Sequence, residues 1–576
     1  MNALRSRRLF EPDRLVIDRV RAAATAQLGV VVREVQLVAG IELLGPCIAE
    51  MQTGEGKTLT TVLPACVLAA TNRKVLIATA NDYLASRDAD WMGPIYRQLG
   101  LRVGSITSDA TSEDRQRAYG CDITYGTLRE FAFDYLRVSL ARRRDSCADS
   151  LTPFPLDVLI IDEADSMLID EARTPMIITA PTREIDAATE ACYRWSAKHA
   201  NDYRAGDDYV RLIDSGAIAL TDRGRQRVIK AAMPSAIGSQ TTTDILHAVE
   251  RAIWVNEAIC RDDHYVVKDG RIQIIDEYTG RKSGERNFGG GIHQAIEARE
   301  GLDLTAESEP VARATVQDFV TEFKHLCGIT ATAWEDRHEL RAVYGLNVQK
   351  VATHQASRRT ILDPVVSRSR EEKWQRIVDE TQTMIADQRA VLIGTRTVAQ
   401  SEQLSDRFRT STIDHVVLNA RNPKQEAEII ADAGRRGRVT IATNMAGRGT
   451  DIGLESKVAQ AGGLHVIVSE PHAAARIDRQ LIGRCARQGD PGTARVYVSP
   501  DDEILVQAFG TEHAAKIRQS ATQRVSDRWL LKKSIQAQQR VSRNHREERA
   551  RLTAHEASLI DAMQLLGMDP HLDPLA

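Results

Sequence analysis

Two strings in a fixed order constrain the fold of this chain more than anything else in it. Met51-Gln52-Thr53-Gly54-Glu55-Gly56-Lys57-Thr58 comes first, and Asp162-Glu163-Ala164-Asp165 follows directly behind the apolar run Val158-Leu159-Ile160-Ile161. A loop that ends Gly-Lys-Thr at a helix start can aim backbone N–H groups and a lysine at nucleotide phosphates, while its threonine hydroxyl holds Mg²⁺. An aspartate at a strand end is placed to hold the same ion through water, and a glutamate beside it to polarise an attacking water. Either string alone is a weak sign, the more so because Met51 stands where such loops usually carry a first glycine. Together, in this order, they predict an ATP-phosphate site on a parallel α/β sheet.

The surrounding text agrees. Apolar residues recur at helical spacing from Leu15 to Leu44. The first clear strand is Val75 to Thr79, with a helix from about Asp82 to Leu99 behind it, and further strands follow near Leu101 to Ile106, at Ile123 to Tyr125 and at Val158 to Ile161. Short apolar strands alternating with helices read as a parallel sheet covered on both faces. The texture changes after Pro181, where Tyr265 to Lys268 and Arg271 to Ile275 flank Asp269-Gly270, a hairpin signal with type I′ turn chemistry. A second α/β pattern starts near Arg370, with strands at Ala390–Gly394, Val416–Leu418, Val439–Ala442, Leu464–Val468 and Ala494–Val498. The expected division is therefore a first nucleotide-binding lobe over 1–180, an inserted α+β module over 181–313, a return to the first lobe over 314–352, a second lobe over 353–505, and a helical tail over 506–576.

Composition bounds the function classes. A chain of 576 residues exceeds one core. Its formal charge of −3 carries none of the basic excess common in nucleic-acid binders. Eight cysteines without a Cys-x-x-Cys pair read as reduced thiols of a cytosolic protein, and no apolar run long enough to span a membrane is present. The basic, glutamine-rich stretch from Arg524 to Leu552 reads as a solvated helix face in preference to a nucleic-acid grip.

Phosphoryl transfer needs positive charge where the γ-phosphate develops negative charge. The second lobe offers Arg448 within Thr443-Asn444-Met445-Ala446-Gly447-Arg448-Gly449-Thr450-Asp451, and Arg484 and Arg487 within Gln480 to Asp490. These glycine-rich loops behind strands look like the second face of a two-lobe motor closing on ATP.

At this point the chain resembles a family. Ala49 to Thr58, Asn81 to Ala89, Ile123 to Thr127, Leu168-Ile169-Asp170-Glu171-Ala172-Arg173-Thr174-Pro175 and Ala442 to Ile452 closely resemble SecA, the ATPase that drives preproteins through the SecYEG channel. Methionine at position 51 is part of that likeness, which runs from about Leu9 to Ser499. The resemblance implies two RecA-like motor lobes with an inserted preprotein-crosslinking-like domain, matched best over Tyr265 to Gly301. It implies that Gln36 reads adenine, that Thr53, Gly54, Glu55, Gly56, Lys57 and Thr58 form the phosphate loop, and that Thr58 and Asp162 serve Mg²⁺. Glu163 falls on the catalytic base, Arg448, Arg484 and Arg487 on second-lobe phosphate sensors, and Asp451 on a nucleotide contact. Implied partners are an unfolded preprotein, SecYEG and a SecA or other protein supplying a scaffold, at the cytoplasmic face of the inner membrane; a homo-oligomer stays open.

Departures accompany the likeness. The family's two-helix finger, helical wing and zinc-binding tail have no counterpart, and 506–576 reads as a remnant of its helical scaffold. The family motif Gly-Met-Thr-Gly-Thr-Ala appears as Gly328-Ile329-Thr330-Ala331-Thr332-Ala333, so Ala331 is expected to disturb a turn that needs positive φ. The family's Gln-Leu-Arg-Gly-Arg-Ser-Gly-Arg appears as Gln480 to Arg487, with Ile482 in place of the arginine and Cys485-Ala486 in place of Ser-Gly, and Pro423 replaces a histidine. Two alternatives remain at this stage: a DEAD-box-type nucleic-acid helicase, and a non-hydrolysing ATP-binding regulator of SecA.

Overall fold

The computed structural model describes residues 14–144, 154–173, 175–183, 185–212, 217–261, 264–268, 270–275, 282–283, 288–418, 423–443, 449–522, 526–565, 568–569 and 571–572. Residues 178–311 form one compact unit, and 1–177 with 312–576 form the other.

The larger unit holds two parallel sheets. In the first lobe the strands are β1 (Cys47–Glu50), β2 (Val75–Thr79), β3 (Val103–Ser105), β4 (Ile123–Thr127), β5 (Val158–Asp162), β6 (His325–Thr330) and β7 (Asn347–Lys350), in the spatial order β7-β1-β6-β5-β2-β4-β3. β6 lies between β1 and β5, with Gly328 beside both Ile48 and Ile161. The polypeptide therefore returns from the inserted unit into the centre of the sheet, and the carboxyl ends of β1, β6 and β5 stand side by side. That edge is where ligands bind in open α/β sheets.

β2 and β5 are apolar at nearly every position because helices cover both faces. One face packs Ile77 and Ile160 against helices Arg14–Leu28, Val62–Ala69 and Asp82–Gln98. The other packs Leu76, Leu159 and Ile161 against Phe131, Phe319 and Leu340. Each fully buried aliphatic or aromatic side chain contributes about 1.5–3 kcal/mol of hydrophobic stabilisation.

The second lobe repeats the plan with β8 (Arg358–Ile361), β9 (Val365–Val366), β10 (Val391–Thr395), β11 (Val416–Leu418), β12 (Val439–Thr443), β13 (Leu464–Val468) and β14 (Pro491–Val498). Its order is β8-β14-β13-β10-β12-β11, with β9 also on β14. Helix Asp527–Leu565 follows and packs Leu530, Ala537 and Val541 into a cluster with Val498, Ile504 and Leu505.

The inserted unit is α+β. Helices Ala187–His199 and Thr242–Ala258 share one core with Tyr209 and Leu220 of a small two-stranded sheet. A second core joins Tyr265 and Ile272 of the expected hairpin to Ile296 of helix Ile292–Glu300. Gly270 has a φ of +72°, while Asp269 and Asp276 to Arg281 lie outside the described residues. Among the described residues no helix is long and apolar enough to cross a membrane.

Candidate nucleotide site

Behind β1 the chain turns sharply into helix Lys57–Thr60, which continues into Val62–Ala69. The turn depends on Gly54 and Gly56, at φ +88° and +82°. Neither position has room for a side chain. A Cβ on Gly56 would lie 2.4 Å from Gln36 Nε2, and one on Gly54 would lie 2.9 Å from Arg487 Cβ. The phosphate loop is thus gripped on one side by the first lobe's glutamine and touched on the other by the second lobe's arginine.

Lys57 Nζ lies 2.9 Å from Glu163 Oε1. Glu163 follows the last residue of β5 with a left-handed φ of +57°, a strained setting of the sort that clusters at functional sites. Its backbone N–H donates to Asp162 Oδ1 at 2.9 Å. Desolvation, with the adjacent Glu163 charge, pushes the Asp162 carboxyl up to about 7 against the lowering effect of Lys57. A divalent cation would reverse that balance by favouring the carboxylate. Among the described residues no group of three or more His, Cys, Asp or Glu side chains could hold a metal. One carboxylate with a threonine hydroxyl nevertheless fits Mg²⁺, which keeps waters and takes other ligands from phosphates. Thr58 and Asp162 line the same cleft.

Gln36 is buried, and its amide ties the loop to helix Glu34–Glu42: Nε2 donates to the Glu55 carbonyl at 2.8 Å, and Oε1 accepts from the Arg33 N–H at 2.9 Å. A primary amide keeps a second N–H and a second lone pair beyond these bonds, enough to meet an adenine edge. The Glu55 side chain accepts from the His354 N–H at 3.1 Å, so its carboxylate anchors the loop.

From the second lobe, helix Ala475–Ile482 delivers the loop that carries Arg484 and Arg487. Ala486 and Gln488 both adopt left-handed φ, +55° and +51°, on either side of Arg487. Arg487 is 6% exposed. It pairs through Nη1 with Asp451, while its buried Nη2 has no hydrogen-bond partner among the described residues. A buried guanidinium with an unused donor, lying against a phosphate loop, suits an incoming phosphate oxygen. Arg484 Nη1 donates to the Thr450 carbonyl at 3.1 Å. Asp451, expected as a nucleotide contact, is engaged by Arg487, and Thr53 lies against Gly483. Gln36, the phosphate loop, Asp162, Glu163, Asp451, Arg484 and Arg487 line one cleft of about 530 Å³, within the usual range for ligand sites. Arg448 lies outside the described residues.

One expectation is overturned. Ala331 is not among the left-handed residues, so its methyl group meets no backbone conflict. The strain falls instead on Ala486, whose methyl sits on a left-handed backbone. The basic tail is also more than a solvated face: Arg549 is buried and its guanidinium forks onto Glu339 at 2.6 and 2.8 Å, while Arg546 reaches Asp336 at 3.3 Å.

A second set of residues escaped sequence reasoning because its signal is a partnership and not a motif. Asp165, fully buried, accepts from Thr332 Oγ1 at 2.7 Å, from Gln480 Nε2 at 2.6 Å and from Thr330. Arg476 joins the same knot, paired with Asp170, 3.2 Å from Asp336 and 3.6 Å from Asp165. Burial works against the Arg476 charge, but the surrounding carboxylates outweigh it and raise its pKa. Arg87 Nη1 donates to the Gly449 carbonyl at 3.1 Å and adds a further crossing between the lobes.

Comparison with known proteins matches residues 13–341 to the SecA DEAD-like domain and residues 356–459 and 454–524 to the SecA P-loop domain. The chain is 39% identical over 565 residues to the protein translocase subunit SecA 2 of Rhodopirellula baltica, covering 94% of this chain and 86% of that one. It is 41% identical over 548 residues to the protein translocase subunit SecA of Caldicellulosiruptor saccharolyticus, covering 92% of this chain and 64% of that relative. The SecA subunit of Heliobacterium modesticaldum is 43% identical over 494 residues, and the chain spans 57% of its length. Among solved structures, Saccharomyces cerevisiae Dbp5 bound to RNA and ADP BeF3 aligns at 13% identity over 91% of this chain and 97% of that one, with a TM-score of 0.42.

Proposed function

The chain belongs to the SecA family, and we propose that it is an ATP-hydrolysing motor that couples closure of its two lobes to work on an unfolded preprotein. The observation that carries this reading is the second-lobe Arg487, with its unused Nη2, lying against Gly54 of the phosphate loop. In this reading the γ-phosphate replaces Glu163 beside Lys57. The released Glu163 carboxylate then orients and deprotonates the attacking water. Arg487 and Arg484, with Arg448, meet the developing negative charge from the second lobe. Mg²⁺ neutralises phosphate charge when bound, and Thr58 with Asp162 would hold it.

The inserted unit is the proposed grip on the client. Extended polypeptide can be held by strand addition to sheet edges without sequence preference. The proposed partners are the preprotein, SecYEG and a SecA or other scaffold-supplying protein, with peripheral attachment at the cytoplasmic face of the inner membrane.

Steady-state hydrolysis by the purified chain, with and without an unfolded preprotein, tests the reading. Turnover rises with the client, and Glu163→Gln lowers it by about 10²–10⁴-fold. Stimulation by RNA and not by unfolded protein would favour a helicase instead; ATP binding with no turnover in parent or variant would leave only a regulator.

A further inference from the structure

Part of the cleft's lining is apolar and has no role in the phosphate chemistry: Leu28, Val30, Val31, Trp91 and Met92. Helix Arg14–Leu28 packs on helix Asp82–Gln98, and Leu28 packs against the same apolar cluster that holds the fully buried Met92. Trp91, Val30 and Val31 stand outside this cluster, and all three line the cleft. Arg87 and Trp91 are four residues apart on one helix, so both side chains lie on the same face, and both line the cleft too.

Trp91 is 49% exposed and Val31 72% exposed. The Trp91 ring stacks on no aromatic or cationic group among the described residues, and its indole N–H donates to none of them. A large aromatic left half in water in the lining of a ligand cleft has an apolar face to offer. Gln36 and Arg33 line the same cleft, as do Gly54, Gly56 and Lys57 of the phosphate loop.

We propose that Trp91 is a binding residue for the nucleoside part of the nucleotide, offering its ring to the purine within the cleft that Val30 and Val31 also line. This rests on the nucleotide reading of the cleft and adds to it a wall that no phosphate interaction requires. Stacking of a base on an aromatic ring carries about 1–3 kcal/mol by alanine substitution, equivalent to about a 5- to 150-fold change in affinity.

Calorimetric titration of the full chain with Mg·ADP and, separately, with inorganic tripolyphosphate tests the idea. Trp91→Ala weakens ADP binding by about fivefold or more and leaves tripolyphosphate binding at the parent value, while Trp91→Phe restores most of the ADP affinity. Unchanged ADP affinity in Trp91→Ala overturns the proposal, as does an equal loss for ADP and tripolyphosphate, which would mark a structural role. A parent chain that binds tripolyphosphate but not ADP also overturns it, leaving a phosphate loop without a nucleoside site. If the parent binds neither, the nucleotide reading itself fails and this proposal with it.

Discussion

At the scale of single residues, the site uses unfavourable backbone geometry to aim side chains. Glu163 and the two neighbours of Arg487 are left-handed without being glycine. For an L-residue this costs about 1–2 kcal/mol, and at Ala486 the cost is avoidable. Ala486→Gly should relax the loop, partly offset by the roughly 0.5–1 kcal/mol of extra chain entropy that glycine brings to the unfolded state. The net expectation is stabilisation by about 0.5–1 kcal/mol, seen as a small rise in the thermal midpoint of the second lobe. A lower midpoint would mean that the methyl group's packing outweighs its strain. The letters of the phosphate loop and of Asp162-Glu163 are legible in the sequence because backbone and metal chemistry demand those residue types at that spacing. The location of the strain is not, since substitution of a motif glycine by alanine looks identical at positions 331 and 486 and only φ distinguishes them.

Among whole elements, legibility follows burial. β2, β5, β10, β12 and β13 are buried along their length and announce themselves as apolar runs. β1 is masked by its continuation into the phosphate loop. The edge strands β7 (Asn-Val-Gln-Lys) and β8 (Arg-Arg-Thr-Ile) carry one apolar residue each, because an edge faces water on one side. Helix Asp527–Leu565 is legible as a helix but not as a tie. Its arginines find Glu339 and Asp336 on the first lobe, while Gln538 donates to Asp478 on the second at 2.7 Å. His545 sits in this contact, and burial first, then the charges of Arg173 and Arg549, lower its pKa from the ordinary 6.5 to about 4, with Glu548 and Asp170 opposing. The imidazole is therefore neutral when docked and protonated below about 6.5 once released. Its contribution to stability is complete above about pH 6.5 and is lost as pH falls towards about 4. The thermal midpoint of the parent should drop more between about pH 7 and about pH 5 than that of His545→Gln. Parallel pH profiles for the two would show that His545 does not stay neutral in the docked helix.

Across the molecule, the cleft and the knot around Asp165 have different jobs. Lys57, Glu163 and Arg487 face the cleft, whereas Asp165 is buried behind it, joining Thr330 and Thr332 of the first lobe to Gln480 of the second. A carboxylate suits this position because Thr330, Thr332 and Gln480 all approach it as donors. An amide in its place would remove the charge that faces Arg476 and would turn an N–H towards a threonine hydroxyl that now donates, so that this hydroxyl would have to become the acceptor. Asp165→Asn is expected to loosen the grip of one lobe on the other without touching the phosphate loop. Mg·ADP, which on the proposed function is held mainly by the first lobe, should bind with nearly parental affinity. Turnover, which on the proposed function needs Arg487 brought to the phosphates, should fall by about tenfold or more, since bonds to a buried charge carry about 1.5–3 kcal/mol each. Calorimetry for ADP and steady-state hydrolysis on the same preparation separate the two quantities. Parallel loss of binding and turnover would assign Asp165 to holding the first lobe's own loops, and unchanged turnover would mean that the lobes close without this knot. Binding kept and turnover lost is the expected split if the cleft holds the nucleotide and the buried contacts behind it decide when hydrolysis occurs.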